Sequence, residues 1–291
     1  MKKYGFIYNP AARGNRGEQF DTLAGLVEQL PGSKLFYSES RNHISELVSD
    51  IIDNFDAIVA CGGDGTIREV ATQLVGKDKT LGIIPLGTGN DLSKTLKIPT
   101  NLAAAIKLLV NGESVKIDIG RCNDFIFLNS LGFGFDGLTN LYAQQMEWLP
   151  SALQYVIAAL RSNLHHQPFR VKITTENGES AERNLIMATV ANGRVEGGSF
   201  WIAPEASITD GKLNLITIKP ISRWLIPLLL PLFLVKKGSW IPHVSVREIE
   251  RITLFFENKM MIHADGEIIN TDLNEFHILL QASELEVICG L

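Results

Sequence analysis

The sequence is most constrained at Ala57-Ile-Val-Ala-Cys-Gly-Gly-Asp-Gly-Thr-Ile-Arg-Glu-Val70, where an apolar run passes through glycines around one acid into a helical pattern. Strand, tight turn and helix in that order predict a phosphate-binding loop. Gly62, Gly63 and Gly65 admit backbone angles that bulkier residues resist, so amide N–H groups can turn toward an anion. The helix N-terminus adds about 0.3–1 kcal/mol of favourable dipole. Thr66 and Glu69 have the spacing of a capping box, which begins many ordinary helices and does not account for the glycines. Asp64 by itself would repel a phosphate, so its expected use is to hold Mg²⁺ directly or through water.

A second loop of similar design, Pro85-Leu-Gly-Thr-Gly-Asn-Asp91, follows an apolar strand at 81–84. Neighbouring parallel strands end side by side, so Asp64 and Asp91 are expected to meet over one nucleotide. Thr88 and the amides around Gly87, Gly89 and Asn90 would then contact its phosphates. A third loop, Asn9-Pro10-Ala11-Ala12-Arg13-Gly14, ends the first strand and brings Arg13 to the same edge; a plain βα turn would have the same composition.

Up to about residue 110, short β-branched or aromatic runs at 5–8, 35–37, 57–60 and 81–84 alternate with amphipathic stretches, which is the grammar of an α/β domain. After Asn111-Gly112 strands and turns take over, at 115–120, 125–129, 170–174, 185–190, 213–218 and 252–256. The expected fold is an N-terminal α/β domain with a Rossmann-like parallel sheet over 1–125 and a mostly β domain over 126–284. The final strand, 285–291, is free to return to the first domain. Helical inserts are expected near 151–164 and at 224–235. The latter is uninterrupted by charge and followed by Lys236-Lys237. As a helix it would reach roughly 18 Å against a hydrocarbon core of about 30 Å, and Pro227 and Pro231 are expected to break it further. A buried core helix and an interfacial element or lipid gate both fit.

A net charge of −5 argues against a broad basic surface for nucleic acid. Three widely spaced cysteines, Cys61, Cys122 and Cys289, form no paired framework and fit a reducing cytosol. The N-terminus reaches Asn9-Pro10 before any apolar run long enough for a signal peptide. The expected location is cytoplasmic, with peripheral contact at the inner membrane face through 224–237; a homodimer is compatible with the same features.

Taken together, Asn9-Pro10, Gly62-Gly-Asp-Gly-Thr66, Pro85-Leu-Gly-Thr-Gly-Asn-Asp91, Asn129-Ser-Leu-Gly-Phe-Gly-Phe-Asp136, Ala191-Asn-Gly-Arg194, Ile202-Ala-Pro204, Asp210-Gly211 and Asp265-Gly-Glu267 span nearly the whole chain. In these motifs the chain resembles the diacylglycerol kinase catalytic-domain family, which includes bacterial lipid kinases and sphingosine kinases. The resemblance implies a nucleotide domain like that of phosphofructokinase and NAD kinase, a C-terminal β-sandwich, and ATP- and Mg²⁺-dependent phosphorylation of a diacylglycerol-like membrane lipid in the cleft between them. It implies ATP contacts from Asn9, Pro10, Ala11, Ala12, Arg13, Ser38, Gly63, Asp64, Gly65, Thr66, Ile67, Arg68, Glu69 and Thr88. Asp64, Asp91 and Asp118 would organise catalytic Mg²⁺, and Glu267 would be the general base. A structural Mg²⁺ site is implied at Asp210 with the backbone carbonyls of Ser207 and Lys212. Arg68 stands where the family usually has asparagine, and Ser93-Lys94 where it has Ala-Arg.

Gly132-Phe-Gly-Phe-Asp-Gly137 fits a dinucleotide fingerprint, but a true one opens a βαβ unit with a strand ending in an acid about 20 residues on, whereas here the chain enters a helical region at 148–164; its glycines are expected to line the interdomain cleft. The six histidines show no zinc spacing, and no GxSxG elbow is present. The rival readings are an NAD kinase, which shares the glycine-Asp-glycine loop, and a non-catalytic lipid-binding regulator.

Overall fold

The computed structural model describes residues 2–10, 16–146 and 148–291. They form two compact units, one of residues up to 117 together with 283–291, the other of residues 118–282.

The first unit contains β1 (Tyr4–Tyr8), α1 (Arg16–Glu28), β2 (Lys34–Tyr37), α2 (Arg41–Ile51), β3 (Ala57–Gly62), α3 (Asp64–Leu74), β4 (Thr80–Pro85), α4 (Asp91–Thr95) and α5 (Leu102–Asn111). The strands run parallel in the order β2-β1-β3-β4, and Glu286 and Val287 pair parallel with Thr80 and Leu81 to extend the sheet. Parallel strands need crossover helices, and those helices cover both faces. Every position of β1, β3 and β4 is therefore buried, which is why they read as continuous apolar runs. On α3 the buried Ile67, Val70, Ala71 and Leu74 follow helical spacing and close one layer. The register Tyr8↔Cys61 and Gly62↔Pro85 brings the ends of β1, β3 and β4 to one edge of the sheet.

The second unit takes in the second half of β5 (Glu113–Cys122), then β6 (Phe125–Phe127), β7 (Ser130–Gly134), α6 (Phe135–Gln144), α7 (Ser151–His165), β8 (Phe169–Thr175), β9 (Ser180–Leu185), β10 (Met187–Ala191), β11 (Leu213–Ile218), α8 (Ile226–Leu234), β12 (Val244–Ile249), β13 (Arg251–Phe256), β14 (Ile262–Ala264), β15 (Glu267–Ile268) and the first half of β16 (Glu275–Cys289). One antiparallel sheet has the order β12-β11-β10-β7-β14-β15; β16, β13, β8 and β9, with β5 and β6 beside β16, make the other. They form a β-sandwich whose core includes Phe127, Phe133, Phe256 and Phe276, with the Phe133 and Phe256 rings stacked at 5.1 Å. A further core, with Phe135, Ile186, Ile216 and Phe233, lies among residues of α6, α7, α8 and the first sheet.

Several local expectations are corrected. The polar strands β9 and β12 were invisible to an apolar search, because most of their residues face solvent. The strand expected at 185–190 is divided at Ile186 between β9 and β10. Pro231 does not break α8: it lies within the helix, and Pro227 occupies the first turn, where no intrahelical N–H is required. A helix, α6, begins inside Gly132-Phe-Gly-Phe-Asp-Gly137 at Phe135, yet β7 is antiparallel to both neighbours, so no parallel βαβ unit exists there.

Candidate active site

In the first unit Gly63 caps α3 with extended backbone and Asp64 begins the helix. Thr66 is thus inside the helix rather than at a capping-box position, and its Oγ1 accepts a hydrogen bond from Asn9 Nδ2 at 2.8 Å. Glu69 Oε1 receives Ser45 Oγ at 3.5 Å. Gly62 is required by space: a Cβ there would come within 2.5 Å of Thr66 Oγ1. The two glycine loops touch, since a Cβ on Gly87 would lie 2.5 Å from Gly63 Cα. Asn90, in left-handed backbone at φ 50°, locks the second loop by accepting from Gly87 N–H at 3.0 Å and donating to Gly87 O at 2.8 Å.

Asp64 and Asp91 meet across Gly89. A Cβ built there would stand 3.0 Å from Asp64 Oδ2 and 3.6 Å from Asp91 Oδ2, so a larger residue would crowd the Asp64 carboxylate. Leu92 N–H donates to Asp64 Oδ1 at 3.3 Å. Thr88 is exposed, and Gly65, Arg68 and Glu69 are half-buried. Ser38 is buried at the end of β2 with no partner for its hydroxyl among the described residues. Ile67 is corrected: its side chain is wholly buried and its N–H bonds Gly63 O at 3.0 Å, so it packs the sheet. Pro10 is exposed; Ala11, Ala12 and Arg13 lie outside the described residues.

In the second unit Glu267 opens β15 after a two-residue hairpin turn, Asp265-Gly266, with φ of 49° and 80°. Positive φ at both turn residues is the hairpin geometry that Asp-Gly favours. Asp265 is buried and accepts three backbone N–H bonds, from Leu128 at 2.9 Å, Asn129 at 2.8 Å and Ser130 at 3.0 Å. Gln144 Nε2 donates to Gly266 O at 3.0 Å. The half-buried Glu267 is therefore carried on a turn fixed from two sides.

Asp118 is buried, and its Oδ2 accepts from Gly211 N–H at 2.8 Å, inside the loop that carries Ser207, Asp210 and Lys212. Asp210 is exposed and receives Lys212 N–H at 3.1 Å.

A cluster that the sequence did not disclose lies beside Gly132. His263 Nε2 is 2.8 Å from Glu196 Oε1 and 3.2 Å from Asp136 Oδ2, although its N–H aims squarely at neither. Thr189 Oγ1 donates to Asp136, Asn140 Nδ2 to Glu196 Oε1 at 3.2 Å, and Tyr155 OH to Asn140 Oδ1 at 2.7 Å. A Cβ on Gly132 would fall within 2.2 Å of His263 Nε2, so this glycine makes space for the cluster within the second unit; it was expected to line a cleft. The three side chains are close enough to share a metal ion.

Burial opposes the charge on His263, but Asp136 and Glu196 outweigh it and hold the imidazole's pKa up at about 10. Burial and the Asp136 charge raise Glu196, while His263 and Thr189 lower Asp136 against its own burial. A raised histidine pKa contributes stability that is full below its ordinary value near 6.5 and is lost as pH rises toward 10. Urea unfolding should accordingly show stability falling between pH 7 and pH 10, by at most about 1.4 kcal/mol per pH unit. His263→Gln should flatten that decline, and an equal slope in both proteins would contradict the assignment.

Asp136 and Glu196 also line a cavity of about 100 Å³, otherwise walled almost wholly by apolar side chains such as Phe135, Ile186, Leu229 and Phe233. One side of α8 lines it, while Leu228, 72% exposed, faces outward; Trp224, just before the helix, is 88% exposed and Trp240, after it, 72%. Lys236 and Lys237 stack their ammonium groups on Trp201 and Trp240 at 3.8 and 4.5 Å. Among the described residues no helix is long and apolar enough to cross a membrane.

Residues 3–122 match the family described as Diacylglycerol kinase catalytic domain, and residues 129–285 that described as YegS C-terminal NAD kinase beta sandwich-like domain. The "Diacylglycerol kinase" of Bacillus subtilis (strain 168) is 30% identical over 281 residues, 92% of this chain and 90% of that protein. A Klebsiella pneumoniae (strain 342) protein named "Probable lipid kinase YegS-like" is 42% identical over 170 residues, so that this chain spans 56% of that relative's length. The crystal structure of a diacylglycerol kinase from Bacillus anthracis str. Sterne has the same fold, with a TM-score of 0.78 at 23% identity over 99% of this chain and 97% of that one.

Proposed function

The chain belongs to the diacylglycerol kinase family, and from that premise we propose that it transfers the γ-phosphate of ATP to a hydroxyl of a diacylglycerol-like membrane lipid. The observation that carries this reading is the meeting of Asp64 and Asp91 across Gly89, where two glycine loops end at one strand edge. Such loops offer amide N–H groups to phosphates. The two carboxylates are hard oxygen ligands that fit Mg²⁺, which when bound neutralises phosphate charge. Asn9, Ser38 and Thr88 lie on loops that follow β1, β2 and β4 and complete the nucleotide contacts.

Glu267 is the general base. The lipid hydroxyl oxygen forms a bond to the γ-phosphorus, the bond from that phosphorus to the bridging oxygen breaks, ADP leaves, and the hydroxyl proton passes to Glu267. The anchored Asp265-Gly266 turn keeps the carboxylate from wandering, and a base so held supplies on the order of 10²–10⁴ in rate. Asp118, expected beside the catalytic Mg²⁺, is assigned instead to the structural cation position with the loop of Ser207, Asp210 and Lys212, a reading supported by its buried carboxylate beside Gly211.

The apolar cavity takes lipid chains, and α8 with its exposed tryptophans and lysines rests on the cytoplasmic face of an anionic membrane. An NAD kinase has no use for such a lining. Incubation with γ-labelled ATP, Mg²⁺, NAD and vesicles of total lipid extract should label one solvent-extractable lipid and leave NAD unlabelled. Label on NAD with none in lipid would sink the proposal.

A further inference from the structure

The cavity of the second unit has one end that lipid chains do not explain. Its walls are built from aliphatic and aromatic side chains, yet Asp136 and Glu196 both face it, and each is more than nine-tenths buried. Placing carboxyl groups in such surroundings is costly unless they are paired, and even a paired cluster is no more stabilising than well-packed apolar residues would be. The cluster has a layered order. His263, fully buried, lies behind the two acids; Thr189 and Asn140 satisfy them from the sides; the cavity is in front. Tyr155, another lining residue, carries its hydroxyl to Asn140, and both oxygens, Tyr155 OH and Asn140 Oδ1, lie within 3.7 Å of where a Cβ on Gly266 would stand. The polar end of the cavity therefore abuts the turn that carries Glu267. The opposite lining comes from α8, with Ile226, Leu229, Leu230 and Phe233.

We propose that Glu196, held by His263 and Asn140, recognises the uncharged hydroxyl-bearing head of an acylglycerol, whose chain then lies along the apolar wall toward α8. The assignment deepens the lipid-kinase reading and rests on it for the substrate class. Its chemistry follows from the pairing. Glu196 Oε1 already stands 2.8 Å from His263 Nε2 and receives Asn140 Nδ2 at 3.2 Å, while His263 and Thr189 answer Asp136, so the cluster brings its own cation. A lipid hydroxyl can donate to the Glu196 carboxyl without adding charge. A long-chain amine would bring a second positive charge beside His263. Glu196 is a specificity-determining residue and takes no part in the phosphoryl transfer itself.

The test measures binding of a fluorescent monoacylglycerol to the full chain without nucleotide, alongside steady-state kinetics. Glu196→Leu, which makes that end of the cavity apolar, should weaken acylglycerol binding and raise its KM by about 10–100-fold while the KM for ATP stays constant. Glu196→Gln, which keeps a donor and an acceptor in the same shape, should retain affinity within about 5-fold. Wild-type protein should bind the acylglycerol with no change between pH 6 and 8 and in preference to a long-chain amine of equal length. Equal acylglycerol binding by wild type and Glu196→Leu, a loss as large in Glu196→Gln as in Glu196→Leu, or tighter binding of the amine would each overturn the inference. Because binding is read without ATP, normal lipid recognition with no phosphate transfer would refute the kinase reading alone.

Discussion

Replacing Glu267 by glutamine is expected to lower turnover at least about 100-fold while leaving the KM for ATP within a few-fold of the wild-type value. The amide has the size of the carboxylate and cannot take up the hydroxyl proton. Its position does not depend on its own charge, because the hairpin is held by Asp265, which receives three backbone N–H groups, and by Gln144 on the Gly266 carbonyl. The substitution thus removes a proton acceptor and leaves the scaffold. Stopped-time assays over an ATP titration check it, and a comparable loss of nucleotide affinity would show that Glu267 is not a base acting on the lipid alone.

The second large effect is expected at Asp64. Asp64→Ala should both raise the KM for Mg·ATP by about 10-fold or more and cut kcat by about 10³, since the carboxylate is assigned to the metal that neutralises the transferring phosphoryl group. The fold should tolerate the change. Asp64 stands in the first turn of α3, where an acid adds only about 0.3–1 kcal/mol, and its bond to Leu92 N–H is long at 3.3 Å. Activity measured across Mg²⁺ concentrations at fixed ATP is the deciding observation: an unaltered Mg²⁺ dependence in the variant would remove Asp64 from the metal site.

Asp64 could be singled out from its own loop, for a physical reason, whereas Glu267 was picked out only by the family resemblance, in a turn that has a plain structural reading. Glycine loops and the acids in them are local signals, because a turn that approaches a phosphate must be spelled out in consecutive residues. The apolar runs at 57–60 and 81–84 announced β3 and β4 in the same way, since strands covered on both faces admit few polar side chains. Polar strands such as β9 and β12 carry no such mark. The capping box at Thr66 failed because its spacing cannot tell where a helix begins; Gly63 begins it three residues earlier. The Asp136, Glu196 and His263 cluster was hidden because α6, the loop after β10, and β14 contribute one residue each. The available hint was an acid and a histidine in otherwise apolar company, at Phe135-Asp136 and Ile262-His263-Ala264, near a glycine inside a strand.

The pairing of Glu286 and Val287 with β4 bears on how the molecule is made. A ribosome delivers the chain in order, so residues 283–291 emerge only after the whole of 118–282, although they belong to the unit begun at the start. Until then β4 offers an open row of backbone donors and acceptors, the kind of edge that invites pairing with a stray strand. The sandwich can close while it waits; the parallel sheet cannot, and the nascent protein is most exposed to aggregation during that interval.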